Sequence, residues 1–313
     1  MVHFLDTQAV NSLIAPSELI AALRVGYAEG ARLAPRQHYP VSDTPPAALL
    51  VMAAWAKGRA RVVKIMSANP GNAALGLPAS EEMLGIFDSD TGVLRAVVAS
   101  SALTNLRTAA ASALAADYLA PPEAETLLVV GTGVLAPYMA RAHAAIRPYK
   151  RVIVAGRDAG RAERLAAQLS ESLPGLEVNA TTGIETATRR ADVITVATRA
   201  ATPVIHGAWL KAYSHLDLVG AYTPAMREAD SEAVSGAEVW VGAVDALEGH
   251  LPGDFTVPIA EGSFALSDIR GGLADLIASV PQHRPRRTLF KSVGYALEDL
   301  YAADLLIRKL DAE

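Results

Sequence analysis

The spacing of hydrophobic and polar residues changes near residue 126 and divides the chain into two parts. Before that point, short apolar runs bounded by turn residues predict strands at 3–5, 48–55 and 59–66 and a hairpin at 85–98. Helical spacing predicts helices that begin at Pro16 and at Ser101. Residues 34–46 are rich in proline and polar residues, which indicates a loop. The first part is therefore predicted to be α+β, with mainly antiparallel strands.

Beyond residue 126, apolar strands alternate with helical segments. The predicted strands are 126–130, 151–155, 176–180, 192–197, 216–220 and 238–241, and a helix covers 161–173. This alternation predicts an α/β, doubly wound parallel sheet with helices on both faces. The last stretch, from Leu289, is predicted to return to the first part. We therefore expect one domain at 1–118 with 289–313 and a second at 119–288.

The junction between the first parallel strand and its helix carries a G-x-G-x-x-A motif. Its residues are Gly131, Thr132, Gly133, Val134, Leu135 and Ala136. Gly131 allows a tight turn, Gly133 lets the backbone approach a pyrophosphate, and Ala136 lets the helix pack closely on the strand. The helix N-terminus offers free N–H groups and positive charge to that anion. Because a second strand follows, the motif predicts a Rossmann-type dinucleotide-binding domain.

The end of the second parallel strand predicts which dinucleotide is bound. Folds that prefer NAD place an acidic residue there for the ribose 2′-hydroxyl, whereas NADP needs a small residue and an arginine for the 2′-phosphate. This chain has Gly156 followed by Arg157, so NADP(H) is favoured over NAD(H). Asp158 keeps NAD(H) open, because its carboxylate could hold the ribose instead.

Composition and charge exclude several classes of protein. The chain has 313 residues, 51% of them hydrophobic, and a net charge of -5, which argues against nucleic-acid binding. It contains no cysteine, so disulfides, thiolate catalysis and cysteine metal sites are excluded, and no metal site is predicted. Asp6 interrupts the start before an apolar signal core forms, and no apolar run approaches the ~18 residues of a membrane span. A cytoplasmic protein is expected.

Three further stretches, at 106–111, 220–230 and 288–294, give the chain a family resemblance. Together with Val63 and Lys64 they resemble the ornithine cyclodeaminase and mu-crystallin family over essentially the whole chain. That family includes cyclodeaminases, an alanine dehydrogenase branch, ketimine reductases and reductases of cyclic imino acids. The resemblance implies a small amino-acid or imino-acid substrate. It also implies a homodimer paired through the first domain, which would bind the substrate as well.

The resemblance assigns substrate-carboxylate and acid–base positions to Arg36, Lys64 and Arg107. An arginine fork can bond both carboxylate oxygens, and a lysine can carry a proton. The alternatives are a solvated charge for Arg107 and an edge-facing strand position for Lys64. Family stretches near the cofactor match Thr108, Ser292, Val293 and Gly294. Thr198 ends a parallel strand and is expected to line the same site, although packing or capping would explain each of these residues too.

Tyr222 is the point at which this chain departs from the deaminating branches of the family. Those branches carry an aspartate two residues past the glycine, where this chain has Tyr222 after Gly220. A tyrosine hydroxyl is a poor base at neutral pH but can donate a proton. Expelling ammonia needs the missing base, whereas reducing a preformed imine needs a carboxylate anchor, a hydride and one proton. The sequence therefore favours an NAD(P)H-dependent reductase of cyclic imino acids or ketimines.

Other functions stay open at this point. Glu228 or Asp230 could supply a displaced carboxylate, which would permit ornithine cyclodeaminase activity, and an alanine dehydrogenase-like reaction is a further alternative. The resemblance to mu-crystallin also implies that a protein with this fold can bind a small ligand without catalysing a reaction. Retention of Lys64 and Arg107 argues against that last function, because a protein without activity would tolerate their loss.

Overall fold

The computed structural model describes residues 1–44, 46–248, 251–279 and 286–312. The strands are β1 His3–Leu5, β2 Arg32–Leu33, β3 Gln37–Asp43, β4 Pro46–Trp55, β5 Arg61–Ala68, β6 Ser80–Phe87, β7 Leu94–Ala99, β8 Thr126–Val130, β9 Arg151–Ala155, β10 Glu177–Thr181, β11 Val193–Val196, β12 Ser214–Leu218, β13 Glu238–Val241, β14 Ile269–Gly272 and β15 Arg287–Lys291. The α-helices are α1 Thr7–Leu13, α2 Pro16–Glu29, α3 Ser101–Leu119, α4 Ala136–Ile146, α5 Ala159–Ser172, α6 Ile184–Arg190, α7 Ser231–Ser235, α8 Gly253–Ala260, α9 Leu273–Ser279 and α10 Ala296–Ala312.

The chain forms two compact units. The first, which we call the N-terminal unit, is Met1–Arg107 with Ala296–Glu313, and the second, the nucleotide unit, is Thr108–Tyr295. The observed boundaries differ from the expected ones by several residues. The first boundary lies at Arg107 and not at residue 118, so it falls within α3. At the second boundary, β15 pairs in parallel with β12 and β13 of the nucleotide unit, so the return to the N-terminal unit begins at Ala296 and not at Leu289.

The N-terminal unit is built on a sheet of order β1-β7-β6-β5-β4-β2, with β3 also paired to β4. Its strands are antiparallel except for the β1–β7 pair. Side chains alternate across the sheet, and one face is buried, with Val62, Leu84, Ile86 and Val98 at most 2% exposed. The helix α10 packs against α2 and β4. The prediction of an antiparallel α+β part is confirmed.

The loop predicted at 34–46 is wrong, because β3 occupies most of it and pairs with β4. Proline and polar residues suggested irregular backbone, but an edge strand tolerates both. Pro40 needs no N–H partner on an open edge, and the register shifts between Pro40 and Ser42.

The nucleotide unit contains an entirely parallel sheet of order β10-β9-β8-β11-β12-β15-β13-β14. The strand order reverses between β8 and β11, which is the switch point where doubly wound sheets bind ligands. Every residue of β8 and β12 is buried, as a sheet covered by helices on both faces requires. The predicted α/β fold with a Rossmann-type sheet is confirmed. Among the described residues, no helix combines the length and apolar character of a membrane span.

Candidate active site

Lys64 lies at the centre of the N-terminal sheet, on its buried face. It sits in β5, paired with Met52 of β4 and Leu84 of β6, and is 2% exposed. Its ammonium donates to Thr104 Oγ1 and lies 2.7 Å from Glu82 Oε2 and 3.4 Å from Asp299 Oδ1. The alternative of an edge-facing lysine is therefore wrong. The buried charge is held between two carboxylates and a hydroxyl.

Arg107 is buried on α3, one helical turn beyond Thr104, and is 7% exposed. Its Nη1 donates to Glu298 Oε2 at 2.7 Å and its Nε to Asp299 Oδ1 at 3.2 Å. Although burial opposes the charge, Asp299 and then Glu298 raise the pKa of Arg107. The alternative of a solvated helix charge is wrong. Asp299 links Arg107 to Lys64, because one of its oxygens accepts from both side chains.

The pKa values of the carboxylates in this cluster are shifted in different directions. Burial opposes ionisation of Glu82, but the Lys64 charge lowers its pKa. Burial also opposes ionisation of Asp299, whose pKa is lowered by Lys64 and Arg107. Burial raises the pKa of Glu298, which also accepts a hydrogen bond from the Tyr27 hydroxyl at 2.8 Å. The cations of the cluster thus lower the pKa of Glu82 and Asp299, whereas burial prevails at Glu298.

Arg36 adds a third positive charge to the same unit. It directly precedes β3, and its side chain keeps contact with solvent while its guanidinium is partly surrounded by protein. This desolvation, and then the charge of Arg107, lower the pKa of Arg36. Because two like charges near each other favour an anion between them, Arg36 and Arg107 suit a ligand carboxylate.

The dinucleotide motif of the nucleotide unit has the geometry that a bound pyrophosphate requires. Gly131 has a φ of 120°, and a side-chain carbon there would lie 2.4 Å from the carbonyl oxygen of Ala197. A side-chain carbon at Gly133 would meet no protein atom within 4 Å, so the space that glycine leaves is open to a ligand. Ala136 is fully buried and begins α4. These residues fit a dinucleotide cofactor.

The end of β9 leaves Arg157 available to a ligand. At Gly156, a side-chain carbon would lie 2.7 Å from Thr132 Cγ2, which explains the small residue. Arg157 is exposed and makes no hydrogen bond or ion pair with the described part of the chain. Asp158 instead caps α5, where its Oδ1 accepts from the Arg161 N–H at 3.0 Å. This cap explains the acidic residue without a ribose ligand.

A buried carboxylate, Glu228, joins the loops that follow β11 and β12. Its Oε1 accepts from the Thr198 N–H and hydroxyl at 2.7 and 2.9 Å. Its Oε2 accepts from the Gly220 and Ala221 N–H groups at 2.7 and 3.1 Å. Glu228 is 0% exposed, and burial raises its pKa. Four donors therefore occupy this carboxylate.

Two further groups complete the support of Glu228. Asp254 Oδ1 accepts from the Glu228 and Ala229 N–H groups at 2.7 and 3.1 Å, and Lys291 bonds Asp254 Oδ2 at 3.0 Å. Asp230 is equally occupied, because it caps α7 and also accepts from Gly207 and His206. Both carboxylates that could have replaced the family's aspartate thus have structural partners.

The remaining predicted residues divide between the elements of the nucleotide unit. Thr198 and Tyr222 follow β11 and β12, and Tyr222 is 64% exposed. Ser292, Val293 and Gly294 follow β15, and the Ser292 N–H bonds the last residue of β12. The structure thus brings Thr198, Tyr222 and these three residues to the carboxyl edge of the sheet that also carries the glycine motif. Thr108 lies on α3.

Sequence reasoning missed Glu82, Thr104, Glu298 and Asp299. Glu82 shares the inward face of β6 with Leu84 and Ile86. Every second residue of this strand faces inward, so an acidic residue at a position where apolar residues alternate could have indicated a buried carboxylate. Glu298 and Asp299 look like ordinary acids in the first turn of α10, and only the packing of that helix buries them. Among the described residues, no group of three histidines, aspartates or glutamates could hold a metal ion.

Comparison with known proteins adds independent evidence. The chain is 36% identical over 270 residues to a Delta(1)-pyrroline-2-carboxylate reductase of Paracoccus denitrificans, covering 84% of each chain. It also resembles the structure of Thermococcus litoralis Delta(1)-pyrroline-2-carboxylate reductase in complex with NADH and L-proline. That match has a TM-score of 0.91 and 29% identity, and it covers 99% of this chain and 98% of the other. An archaeal alanine dehydrogenase dimer with bound NAD, 23% identical with a TM-score of 0.89 over 99% of this chain and 96% of that one, shares the fold.

The family follows from a sequence comparison that spans nearly the whole chain. The sequence model of the ornithine cyclodeaminase/mu-crystallin family matches residues 4–312, which include both units and every residue of the two sites described above. By this match, the protein belongs to the ornithine cyclodeaminase/mu-crystallin family.

Proposed function

We propose that this protein is an NAD(P)H-dependent reductase of cyclic imino acids or ketimines, with Δ1-pyrroline-2-carboxylate as the representative substrate. The names of the relatives support this reaction. The observation that carries the choice is that Glu228 and Asp230 are both occupied by hydrogen-bond donors of the protein. The segment with Tyr222 thus offers no carboxylate base for expelling ammonia, whereas imine reduction needs none.

The N-terminal unit supplies the groups that act on the substrate. We assign the substrate carboxylate to Arg107 and Arg36, because their guanidinium charges lie close enough to affect each other. Lys64 is the proton donor to the imine nitrogen, since its ammonium is fixed by Glu82, Thr104 and Asp299. A small imino acid suits these groups, because its carboxylate can bind the two arginines and its basic nitrogen can take the proton of Lys64.

The nucleotide unit supplies the cofactor site. We assign the pyrophosphate to the loop Gly131, Thr132, Gly133, Val134, Leu135 and Ala136. We assign further cofactor contacts to Thr198, Ser292, Val293 and Gly294, which follow neighbouring strands, and to Thr108 of α3. When bound, the nicotinamide supplies the hydride that reduces the C=N carbon. In this proposal the proton comes from Lys64 and the hydride from the cofactor.

Steady-state assays test the proposed function. Purified protein is offered Δ1-pyrroline-2-carboxylate, piperideine-2-carboxylate, pyruvate with ammonia, and ornithine, each with both cofactors. We expect fast reduction of the cyclic imino acids and little ammonia from ornithine. Rapid ammonia release from ornithine would establish the cyclodeaminase instead. Preferred turnover of pyruvate with ammonia would favour an alanine dehydrogenase. Binding without turnover would favour a ligand-binding protein.

NADP(H) is the proposed cofactor, because Arg157 is exposed and lacks a partner in the described chain. Replacing Arg157 with alanine should raise KM for NADPH about 10–100-fold and leave KM for NADH nearly unchanged, since a charge-assisted bond to the 2′-phosphate is lost. Arg151→Ala, at the opposite end of β9, is the control, because it is exposed and pairs with Glu177. An equal change for both cofactors would remove Arg157 from phosphate recognition.

Tyr222 is the second candidate for the proton donor. Because its side chain is 64% exposed and Lys64 is buried, we expect Tyr222→Phe to keep kcat within about threefold. The variant retains the ring and loses only the hydroxyl, so packing is preserved. Measurement of kcat at saturating imino acid shows whether the Tyr222 hydroxyl donates the proton. A fall of ~10²–10⁴-fold would assign the proton to Tyr222 and not to Lys64.

A homodimer formed through the open face of the N-terminal sheet is also proposed. That face carries Phe4, 79% exposed, beside Val97, and Met83, 41% exposed, beside Ile65. A second copy would cover these apolar side chains. We expect light scattering to give a dimeric mass at micromolar concentration and Met83→Glu to weaken it. A monomeric mass for the unchanged protein would contradict the dimer.

A further inference from the structure

We propose that Glu82 is a proton-relay residue that restores the proton of Lys64 from solvent after each turnover. This inference rests on the proposed reductase function, in which Lys64 gives its proton to the imine nitrogen. Glu82 does not touch the substrate in this scheme. It acts through Lys64.

The geometry places Glu82 between Lys64 and water. Glu82 Oε2 lies 2.7 Å from Lys64 Nζ and accepts from the Thr104 hydroxyl at 2.6 Å. Its other oxygen, Oε1, has no hydrogen-bond partner within the described part of the chain. The Glu82 side chain is 10% exposed. One oxygen is therefore bound to the proton donor while the other can meet solvent.

Asp299, the second carboxylate beside Lys64, is less suited to this exchange. Its Oδ1 accepts from Arg107 Nε at 3.2 Å as well as from Lys64 at 3.4 Å. Its side chain is 4% exposed. Because it is fixed by a guanidinium that never releases a proton, Asp299 serves as the permanent counter-charge of the pair.

The proton balance of one turnover closes with these groups. As the C=N bond becomes a C–N bond, the carbon gains the hydride and the nitrogen lone pair takes one proton from the Lys64 ammonium. Lys64 is left as a neutral amine. Glu82 then takes a proton from water through its solvent-facing oxygen and passes one to Lys64 through Oε2. Each cycle thus consumes one solvent proton and returns both side chains to their starting states.

Electrostatics couple the two side chains in the required direction. Burial acts to raise the pKa of Glu82, but the charge and hydrogen bond of Lys64, with smaller contributions from the Thr104 hydroxyl and the Arg107 charge, lower it. Once Lys64 is neutral, the largest of these opposing contributions is lost, so Glu82 gains affinity for a proton. The other groups that face this pair are Arg107 and Thr104 on α3 and Glu298 and Asp299 on α10. With Lys64 neutral, the Thr104 hydrogen bond and the Arg107 charge still lower the pKa of Glu82.

Infrared spectroscopy of the protein without ligands tests the coupling. In Lys64→Gln, which imitates the neutral lysine, we expect an additional protonated carboxylic-acid band near neutral pH in the difference spectrum against the unchanged protein. The double variant Lys64→Gln with Glu82→Gln should lack this additional band, whereas bands from other buried acids such as Glu228 and Glu298 cancel in the difference. If Lys64→Gln shows no such band, the relay is overturned, whatever the substrate of the enzyme is.

Kinetics test the relay in turnover. Glu82→Gln should lower kcat about 10–100-fold and leave KM for the imino acid within about threefold, because substrate binding is untouched. Glu82→Ala should be rescued by added formate or acetate buffer in proportion to its concentration, but not by chloride of equal ionic strength. Glu81→Gln is the matched control, since Glu81 is the adjacent exposed residue of β6.

The outcomes separate the relay from the proposed function. Unchanged kcat in both Glu82 variants, or a loss that no buffer acid restores, would overturn the relay. A merely structural role would shift KM or stability and would show no rescue by weak acids. If the unchanged protein reduces no imino acid, the proposed function fails, and the infrared result still decides whether Lys64 and Glu82 exchange a proton.

Discussion

Replacing Lys64 with glutamine is expected to lower kcat for imine reduction about 10²–10⁴-fold, the usual effect of losing a positioned general acid. The amide keeps polar contact with Glu82 and Thr104 but has no proton to give at neutral pH. Binding of NADPH, measured by fluorescence, should stay within about twofold, because we assign the cofactor to the nucleotide unit. Thermal unfolding should show that the variant is folded.

The absence of cysteine from the chain permits a stricter version of this experiment. In Lys64→Cys the only thiol can be alkylated with 2-bromoethylamine, which restores an ammonium at nearly the original position. We expect Lys64→Cys to be inactive and the alkylated protein to recover a substantial part of kcat. Lys57→Gln, an exposed lysine in the turn before β5, is the control. Full activity of Lys64→Cys before alkylation would exclude Lys64 as the donor.

Glu228→Gln is expected to lower the free energy of unfolding by about 3 kcal/mol. The carboxylate accepts four hydrogen bonds, two from Thr198 and one each from Gly220 and Ala221, and the Lys291 ammonium lies 3.9 Å from Oε2. An amide NH₂ in place of one oxygen would face donors and leave them unpaired in a fully buried site. Urea unfolding of the two proteins measures the loss directly.

The control for this variant is Glu232→Gln, an exposed residue of α7 that should change stability by less than about 0.5 kcal/mol. We also expect Glu228→Gln to leave ornithine deamination at background level, because Glu228 supports the loop and does not act as a base. Unchanged stability together with loss of an ornithine-deaminating activity would contradict this account and make Glu228 catalytic.

Much of the nucleotide unit was predictable because its local signals agree with its tertiary structure. The apolar run at Thr126–Val130, the glycine motif and the buried start of α4 all identify the same turn. β3 was missed, because Pro40 and its polar neighbours look like a loop unless the open edge of β4 is known. The assignment of β15 to the parallel sheet depends on pairing with β12 and β13, which local sequence does not encode.

Of the charge cluster in the N-terminal unit, the sequence predicted only the cations. Lys64 and Arg107 were found through family resemblance, yet nothing local indicated that both would be buried. Their burial depends on two carboxylates that are distant along the chain. Glu82, the partner of Lys64, lies 18 residues after it, and Asp299, the partner of Arg107, lies 192 residues after it. Charge compensation at such separations arises from the packing of β6 and α10 against β5 and α3. The spacing of residues along the chain therefore does not predict this charge compensation.

In the proposed reaction, this protein adds hydride to the carbon of a cyclic imino acid. The most direct measurement is to incubate it with Δ1-pyrroline-2-carboxylate and NADPH carrying deuterium at the transferable position, and to analyse the product by mass spectrometry. We expect proline with one deuterium at Cα and no ammonia in the mixture. Proline without deuterium, or the absence of proline while ornithine is converted with release of ammonia, would contradict it.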